Sequence, residues 1–535
     1  MSYTDSMSTH KIIPGDTFWA LAKKYGYTVE AILAANPSVA PEQLKIAKNP
    51  SSTLSTHTIV SGDTLWKLSR KYGCTLNDIL TVNPGIIPEQ LQIGQIIYLP
   101  KPGIRQFISF ISITLLMSIA TTLIPTSEST IISEPISTNQ KDKIDFEWKN
   151  NNKSIVVGYF TSWSVYQRNF FVNDIPADKI THINYAFAKI GLDGEIERGD
   201  NEADTEKFFP GDSWSQTLRG NFNQLIKLKD VYPHLRTLIS VGGWTWSKKF
   251  SDIAMNDESR KKFAKSCVKF IEKYAFDGID LDWEYPVSGG HEHNIHRPED
   301  KQNYVFILKE LREQLDMAAN QNGKTYLLTV ATGASPQCIA DMDLVGMATY
   351  LDWINVMTYD YHGGWETKTG HNAPLYKNDA ETVDDISSVC IKSKLNIHAS
   401  IQAYIDAGVS RNKLILGIPL YGRGWTGVTS TVQNGFSQPT SGQLPVGTWE
   451  NGVFDYDHIK HSFCSSSSRY WDDASKVPFL YNSSTGIWIS FDDETSIQLK
   501  CDYIKQECLG GVMFWELSGD RNNELINVTI NALKQ

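Results

Sequence analysis

Residues 277–284 read Asp-Gly-Ile-Asp-Leu-Asp-Trp-Glu, and this octapeptide carries the strongest signal of fold and chemistry in the chain. Successive side chains of a β-strand alternate between its two faces, so Asp280, Asp282 and Glu284 project on one side. The apolar residues between them project on the other side, where they have to be buried in a hydrophobic core. The pattern therefore predicts a strand that packs one face inward and carries three acids on the other.

Three carboxyl groups at this spacing cannot all ionise cheaply, because each negative charge raises the pKa of its neighbours. At least one proton should be retained or shared, which is how a general acid is made. A solvated acidic strand or a divalent-cation site is the alternative. The interleaved apolar residues count against an exposed strand, and the octapeptide favours a catalytic site.

Size, charge and cysteine spacing limit the classes of protein that fit. The chain has 535 residues and a formal net charge of -10, which allows several domains and argues against a nucleic-acid partner. No cysteine lies in CxxC or Cys/His zinc spacing, so we expect no metal and no cofactor. Six of the cysteines follow residue 150. They suit disulfides in an oxidising compartment and buried thiols equally well.

The N-terminal region contains a duplicated segment. His10-Lys-Ile-Ile-Pro-Gly-Asp-Thr-Phe-Trp matches His57-Thr-Ile-Val-Ser-Gly-Asp-Thr-Leu-Trp, and Lys-Tyr-Gly and Asn-Pro recur downstream in both copies. The copies resemble LysM modules, small βααβ units that bind N-acetylglucosamine polymers. The resemblance implies a truncated module at 10–48 and a complete one at 57–100, in which Leu68 points inward and the closing run 93–100 pairs with the first strand. A purely structural repeat is the alternative.

Residues 104–125 are apolar and uncharged over most of their length, close to the ~20 residues that span a bilayer. They predict either a cleaved signal or a membrane anchor, and Lys101 and Arg105 before them favour a C-terminal part outside the cytosol. The same topology would leave the repeats inside, away from any polymer. Residues 126–152, rich in Ser, Thr, Asn and Lys, indicate a linker.

The rest of the chain, 153–535, alternates β-branched runs with helical stretches, which predicts stacked β/α units. The fold class is therefore α/β, a (β/α)₈ TIM barrel in which catalytic side chains lie at the carboxyl ends of strands. The expected strands are 155–160, 181–188, 235–242, 277–284, 325–332, 352–359, 413–420 and 511–516. The long interval between the seventh and eighth strands predicts a small α+β insertion domain over 422–490.

Motifs at other strand ends agree with the octapeptide. They are Ser240-Val-Gly-Gly-Trp244, Met357-Thr-Tyr-Asp360 and Met513-Phe-Trp-Glu516. In this order the four motifs resemble the family 18 glycoside hydrolases, the chitinases, over 153–535. In that family the 2-acetamido oxygen of the substrate is the nucleophile, so the enzyme needs one acid and a clamp for the acetamide.

The resemblance implies a role for each catalytic candidate. Glu284 would protonate the glycosidic oxygen, Asp282 would bind the acetamido N–H, and Asp280 would share a proton with Asp282. Tyr359 would donate to the acetamido carbonyl and Asp360 would support a distorted sugar ring. Trp515 would form an apolar floor beneath that sugar, although a place in the core is its alternative.

Further residues are candidates for substrate binding. Trp244 and Trp365 follow Gly-Gly pairs, where a turning chain can present a side chain outward. Four of the remaining candidates belong to or adjoin the motifs: Gly243, Thr245, Tyr285 and Met357. The other three are expected to line the cleft, with ordinary packing as the alternative: Tyr159, Phe187 and Arg423.

The sequence as a whole predicts an extracellular or cell-surface enzyme that cleaves β-1,4 bonds in chitin or chitooligosaccharides, as a monomer, secreted or attached to the membrane through 104–125. An endo-β-N-acetylglucosaminidase acting on N-glycans would share the acid and mechanism. A chitinase-like lectin that binds without cutting is the alternative from another class. The intact carboxylates and Tyr359 count against the lectin.

Overall fold

The computed structural model describes residues 8–11, 54–60, 68, 71–72, 79, 83, 96–100, 114–117, 154–213, 215–381 and 393–534. The chain forms two compact units, Met1–Ile136 and Ser137–Gln535. Each is described by itself below.

The larger unit contains a closed barrel of eight parallel strands, labelled β1 to β8 in chain order. They are Ile155–Thr161, His182–Ile190, Arg236–Gly242, Gly278–Asp282, Leu327–Gly333, Trp353–Met357, Leu414–Pro419 and Gly511–Trp515. Each strand pairs with the next, and β8 pairs with β1 to close the barrel. The predicted TIM barrel is confirmed.

The α-helices described in this unit are Gly220–Val231, Phe250–Ala254, Asp257–Tyr274, Asp300–Asn322, Pro336–Ala340, Leu344–Tyr350, Ile397–Asp406, Tyr456–Ser462, Glu494–Gln506 and Glu524–Leu533. Side-chain caps fix where several begin. The Asn256 side chain accepts the Ser259 N–H, and Asn396 accepts that of Ala399. These caps supply acceptors for N–H groups that the helix itself leaves unpaired.

The fold buries apolar side chains on both faces of the barrel strands. Outward-facing residues such as Ile279, Leu281 and Trp283 belong to one large buried cluster with side chains from the helices. Inside the barrel a separate cluster includes Trp353 and Met513. The alternation predicted for the octapeptide is thus confirmed on its apolar face, and Met513 is buried inside the barrel.

A second sheet lies between β7 and β8, as predicted for the insertion. Its strands are Tyr421–Thr426, Gly442–Gln443, Val453–Asp455, Ser468–Asp472, Val477–Asn482 and Ile487–Ser490, and the helix Tyr456–Ser462 belongs to the same interval. Their pairings are antiparallel. Trp425, Trp488 and Phe479 lie in its own buried cluster. The insertion therefore has a small core of its own.

In the smaller unit, strand Leu54–Thr58 pairs antiparallel with Ile96–Pro100, as expected for the complete module. Leu68 is buried, also as expected. Strand Ser8–Lys11 pairs with Thr114–Met117, four residues of the apolar segment. The rest of 10–48 and of 104–125, and the linker 126–152, lie outside the described residues. In the described part of the chain, no helix is both long and apolar enough to cross a membrane.

Candidate active site

The carboxyl ends of the barrel strands surround a cavity of about 1050 Å³. The sequence candidates that line it are Tyr159, Phe187, Trp244, Thr245, Asp282, Glu284, Tyr285, Met357, Tyr359, Asp360, Trp365, Arg423 and Trp515. Asp280 and Gly243 are absent from this lining and lie behind it. Residues from six strand ends and from the insertion thus converge on one cleft.

Asp280 lies at the base of the site and is completely buried. Its Oδ2 accepts hydrogen bonds from the hydroxyls of Tyr159 and Ser240, both at 2.7 Å. Its Oδ1 accepts from the Thr329 hydroxyl at 2.6 Å and from Asn355 Nδ2 at 3.3 Å. Burial raises the pKa of Asp280, and the four donors oppose that rise because they favour the carboxylate.

Asp282 is also buried, but its surroundings differ from those of Asp280. Its Oδ1 has no hydrogen-bond partner among the described residues. Burial, with the negative charges of Glu284 and Asp280, raises the pKa of Asp282 well above its usual range. Asp280 and Asp282 do not hydrogen-bond to each other in this structure, so the expected shared proton has no direct contact here. Asp282 instead has one buried carboxyl oxygen, Oδ1, that is left without a hydrogen-bond partner.

Glu284 lies two residues beyond the end of β4 and is half-buried in the cleft. The sequence placed it on the strand, whereas the strand ends at Asp282. Burial raises the pKa of Glu284 to about 7, the hydrogen bond with Tyr285 opposes the rise, and the charge of Asp360 adds to it. A carboxyl group with this pKa can hold its proton near neutral pH, as a general acid must.

Tyr359 and Asp360 lie two and three residues beyond the end of β6, although the expected strand 352–359 included Tyr359. Burial raises the pKa of Tyr359 well above its usual range, so its hydroxyl keeps its proton and can donate. Asp360 has a left-handed backbone with φ of 58°, and Oδ1 accepts from the Tyr421 hydroxyl and Arg423 Nε, both at 2.6 Å. Two residues of the insertion sheet therefore hold the orientation of a carboxylate at a barrel strand end.

Aromatic rings form much of the cleft surface. The Trp515 ring lies 5.4 Å from that of Tyr159 and 5.8 Å from that of Phe187, which it stacks on at 25°. Gly243 has φ of +78°, and a Cβ there would lie 2.7 Å from the Phe187 ring. Glycine at 243 is therefore needed for this packing.

Several tryptophans along the cleft are exposed to solvent, so packing in a hydrophobic core does not account for them. Trp244 and Trp365 are 52% and 63% exposed. Trp163 and Trp449, which sequence reasoning missed, are 36% and 39% exposed and line the same cavity. Exposed indole rings along a groove suit stacking against apolar faces of a ligand.

Sequence reasoning also missed a charged network beside Trp449. Arg168 Nη1 lies 2.9 Å from Glu516 Oε1 and 3.8 Å from Asp455 Oδ1, and its guanidinium lies 4.9 Å from the centre of the Trp449 ring. The Trp449 Nε1–H in turn donates to Asp455 Oδ2 at 2.8 Å. These groups come from three distant segments, and no motif marks them, although Glu516 closes the β8 motif.

One cysteine, Cys338, lines the cavity, and no histidine is among the described residues that line it. The five cysteines that the structure describes, Cys267, Cys338, Cys464, Cys501 and Cys508, carry free thiols. Among the described residues, no group of three or more His, Cys, Asp or Glu side chains is placed to hold a metal ion.

A TIM barrel that carries neighbouring carboxyl groups at the end of β4, in a cleft lined by aromatic rings, has the architecture of a barrel glycoside hydrolase. The chain belongs to the glycosyl hydrolases family 18, whose family model matches residues 155–520. The LysM domain model matches 10–46 and 57–100.

Named relatives agree with this assignment. The chain is 47% identical over 404 residues to Chitinase A1 of Niallia circulans, in a match that covers 70% of this chain and 57% of that protein. It is 37% identical over 382 residues to Chitinase 1 of Aphanocladium album, covering 70% and 84% of the two chains. The solved structure of chitinase ChiA74 from Bacillus thuringiensis superposes with a TM-score of 0.67 at 39% identity, covering 71% of this chain and 70% of that one.

Proposed function

We propose that this protein is a chitinase that hydrolyses β-1,4 bonds between N-acetylglucosamine units with retention of configuration. The observation that carries the proposal is the contrast between neighbouring acids at the end of β4. Glu284 faces the cleft with its pKa raised to about 7, beside Asp282, whose buried Oδ1 is unpaired. One group is suited to give a proton, and the other is suited to accept an N–H from a ligand.

In the proposed reaction the acetamido oxygen of the substrate attacks the anomeric carbon while Glu284 protonates the leaving oxygen. Asp282 accepts the acetamido N–H and so satisfies its unpaired oxygen, stabilising the cationic oxazolinium intermediate. Tyr359 donates its hydroxyl to the acetamido carbonyl and aligns the internal nucleophile. Asp360 supports the distorted ring, and Trp515 is the floor beneath it.

The two rival functions differ from this one in what the protein turns over. An endo-β-N-acetylglucosaminidase would release N-glycans in preference to cutting chitooligosaccharides. A chitinase-like lectin would bind these oligosaccharides and leave them intact. The names of the relatives and the tryptophans along the cleft favour the chitinase.

The proposal is tested by replacing Glu284→Gln, which keeps shape and removes the proton donor. Hydrolysis of a soluble chitooligosaccharide should fall roughly 10² to 10⁴-fold while binding survives. The first product of the unaltered enzyme should be the β-anomer by NMR, and a thiazoline analogue of the cyclised acetamide should inhibit it. An E284Q enzyme within threefold of wild-type kcat, or an α-anomer as first product, would eliminate the assignment.

The LysM regions and the apolar segment extend the proposal to location and partners. We expect 57–100 to bind chitin and the enzyme to act outside the cytosol, as a monomer, with 104–125 serving as a signal or an anchor. The LysM match and the apolar composition support this expectation.

A further inference from the structure

The backbone N–H and the backbone carbonyl of Glu284 are each hydrogen-bonded to a side chain from a different loop. Because β4 ends at Asp282, the main chain at Glu284 lies outside the barrel ladder. Its N–H donates to Ser247 Oγ at 2.8 Å, and its carbonyl accepts from Asn294 Nδ2 at 2.6 Å. The backbone N–H and carbonyl of Glu284 therefore find their hydrogen-bond partners in side chains rather than in a neighbouring strand.

Ser247 ties the turn at Glu284 to the loop that follows β3. Its side chain is fully buried, with Oγ 2.8 Å from the Gly243 carbonyl and 3.1 Å from the Asp282 carbonyl. A hydroxyl can donate one hydrogen bond and accept another at the same time. Ser247 therefore accepts a hydrogen bond from the Glu284 N–H while it donates one to either of these carbonyls. The Gly243 N–H also donates to the Asp282 carbonyl at 2.8 Å. The two strand ends are therefore joined around one hydroxyl.

Asn294 holds the opposite side of the same peptide position. Its own N–H donates to the His291 carbonyl at 2.9 Å, which orders the loop that carries it. Gly290 in this loop has φ of +73°, and a Cβ there would lie 2.1 Å from the Glu284 carbonyl oxygen. The loop approaches the acid so closely that only glycine fits beside the carbonyl.

Neither Ser247 nor Asn294 lines the cleft. We infer that both are positioning residues, which act through the Glu284 backbone to aim the carboxyl group at the glycosidic oxygen. This inference rests on the proposed role of Glu284 as the acid. A misplacement of about 1 Å in a reacting group can cost about 10²-fold in rate, so two hydrogen bonds to its backbone matter for catalysis.

Leaving-group dependence separates positioning from general damage. Departure of a sugar alcohol needs protonation by the acid, whereas 2,4-dinitrophenolate leaves without it. For Ser247→Ala we expect kcat on chitotetraose to fall by about tenfold or more with KM changed less than about twofold. For 2,4-dinitrophenyl chitobioside we expect kcat/KM, which reports only the steps up to bond cleavage, to stay within about twofold of the unaltered enzyme.

Ser266 provides a matched control in the same chain. It too is buried, accepts a backbone N–H from Ile196 at 3.0 Å and donates to the Phe263 carbonyl at 2.7 Å. Ser266→Ala removes the same kinds of hydrogen bond away from the cleft, and it should leave kcat on both substrates within about twofold. Asn294→Ala should reproduce the selective loss, and it tests the inference independently if Ser247→Ala fails to fold.

If Glu284→Gln is inactive on the oligosaccharide, the proposed function stands, and any one of three results would then overturn the positioning inference. One is an S247A enzyme that behaves like S266A on chitotetraose. Another is an equal loss by S247A on both substrates, and the third is an N294A enzyme with full activity. An active E284Q enzyme would instead overturn the proposed function itself, so the two failures are distinguishable.

Discussion

Acids a few residues apart in the octapeptide occupy three different environments. Asp277, at the amino end of β4, accepts from the Thr237 N–H and from Lys229 Nζ, both at 2.8 Å, and joins strand to helix. Asp280 is saturated by four donors, whereas the Oδ1 of Asp282 has none. Residue type alone therefore does not assign the role, because the neighbours decide which carboxyl group is left for a ligand.

We predict that Asp282→Asn stabilises the protein at alkaline pH. The unfolded carboxyl group ionises near a pKa of about 3.9, whereas burial raises the folded pKa well above that value. Between these two values the folded state keeps a proton that the unfolded chain has lost, so stability falls as pH rises through the window. Thermal unfolding should show a Tm gain of about 2 °C or more for D282N at pH about 8, and no gain at pH about 4.

Asp277→Asn is the matched control for this prediction, because it removes a carboxylate of the same octapeptide that pairs with Lys229. Its Tm should not rise at either pH. A D282N protein without a Tm gain at the higher pH would contradict the electrostatic account of the site.

A second prediction concerns the pH dependence of catalysis. Glu284 must be protonated to act, so kcat/KM, which reports the ligand-free enzyme, should decline as pH rises through about 7, the value to which burial raises its pKa. The negative charge of Asp360 contributes to that rise. Asp360→Asn should therefore move the alkaline limb of the kcat/KM profile to lower pH, in addition to lowering kcat. A limb that stays in place or moves upward would contradict the coupling.

At the scale of elements, the barrel strands were predictable because each is a short apolar or β-branched run bounded by polar turns. The expected strand 155–160 is observed as Ile155–Thr161, and 413–420 as Leu414–Pro419. Most of the two-residue errors fall at the carboxyl ends, as at β4, where the alternation continues through Trp283 and Glu284 after sheet pairing has stopped. Periodicity reports which face a side chain occupies, but hydrogen bonding ends the strand.

The loop residues of the site could not be predicted in the same way. Trp163, Arg168 and Trp449 meet at the cleft only because a loop after β1 and the insertion fold over the same strand ends. Ser247 and Asn294 likewise reach Glu284 from separate loops. Contacts between separate loops leave no periodic signal in a single sequence.

The Arg168 network gives a prediction about how these elements hold together. Arg168 pairs with the buried Glu516, so Arg168→Ala leaves a buried carboxylate without its cationic partner. We expect the free energy of unfolding to fall by about 3 kcal/mol in urea titrations. Lys309→Ala, which breaks an exposed pair with Glu313, should cost less than about 1 kcal/mol. Equal costs for the two variants would show that the network does not join the elements.

At the scale of the whole molecule, the chain combines a family 18 barrel with LysM regions. If 57–100 binds chitin and shares a compartment with the barrel, two sites on one polymer gain avidity through the segment between them. Soluble short substrates cannot occupy both sites and should gain nothing. The apolar segment 104–125 opposes this arrangement, because Lys101 and Arg105 favour a cytosolic position for everything before it.

Deleting residues 1–100 distinguishes these arrangements. If the repeats accompany the barrel, the deletion should lower activity on insoluble chitin severalfold or more, within the roughly 10² to 10⁴-fold that avidity can supply. The kcat/KM for a soluble trimer or tetramer should stay nearly unchanged, which serves as the internal control for the integrity of the barrel. Both substrates should be measured with full-length and shortened enzyme secreted by the native host. Equal activity on insoluble chitin would mean that the LysM pair contributes nothing to catalysis in the secreted enzyme, whatever its isolated affinity.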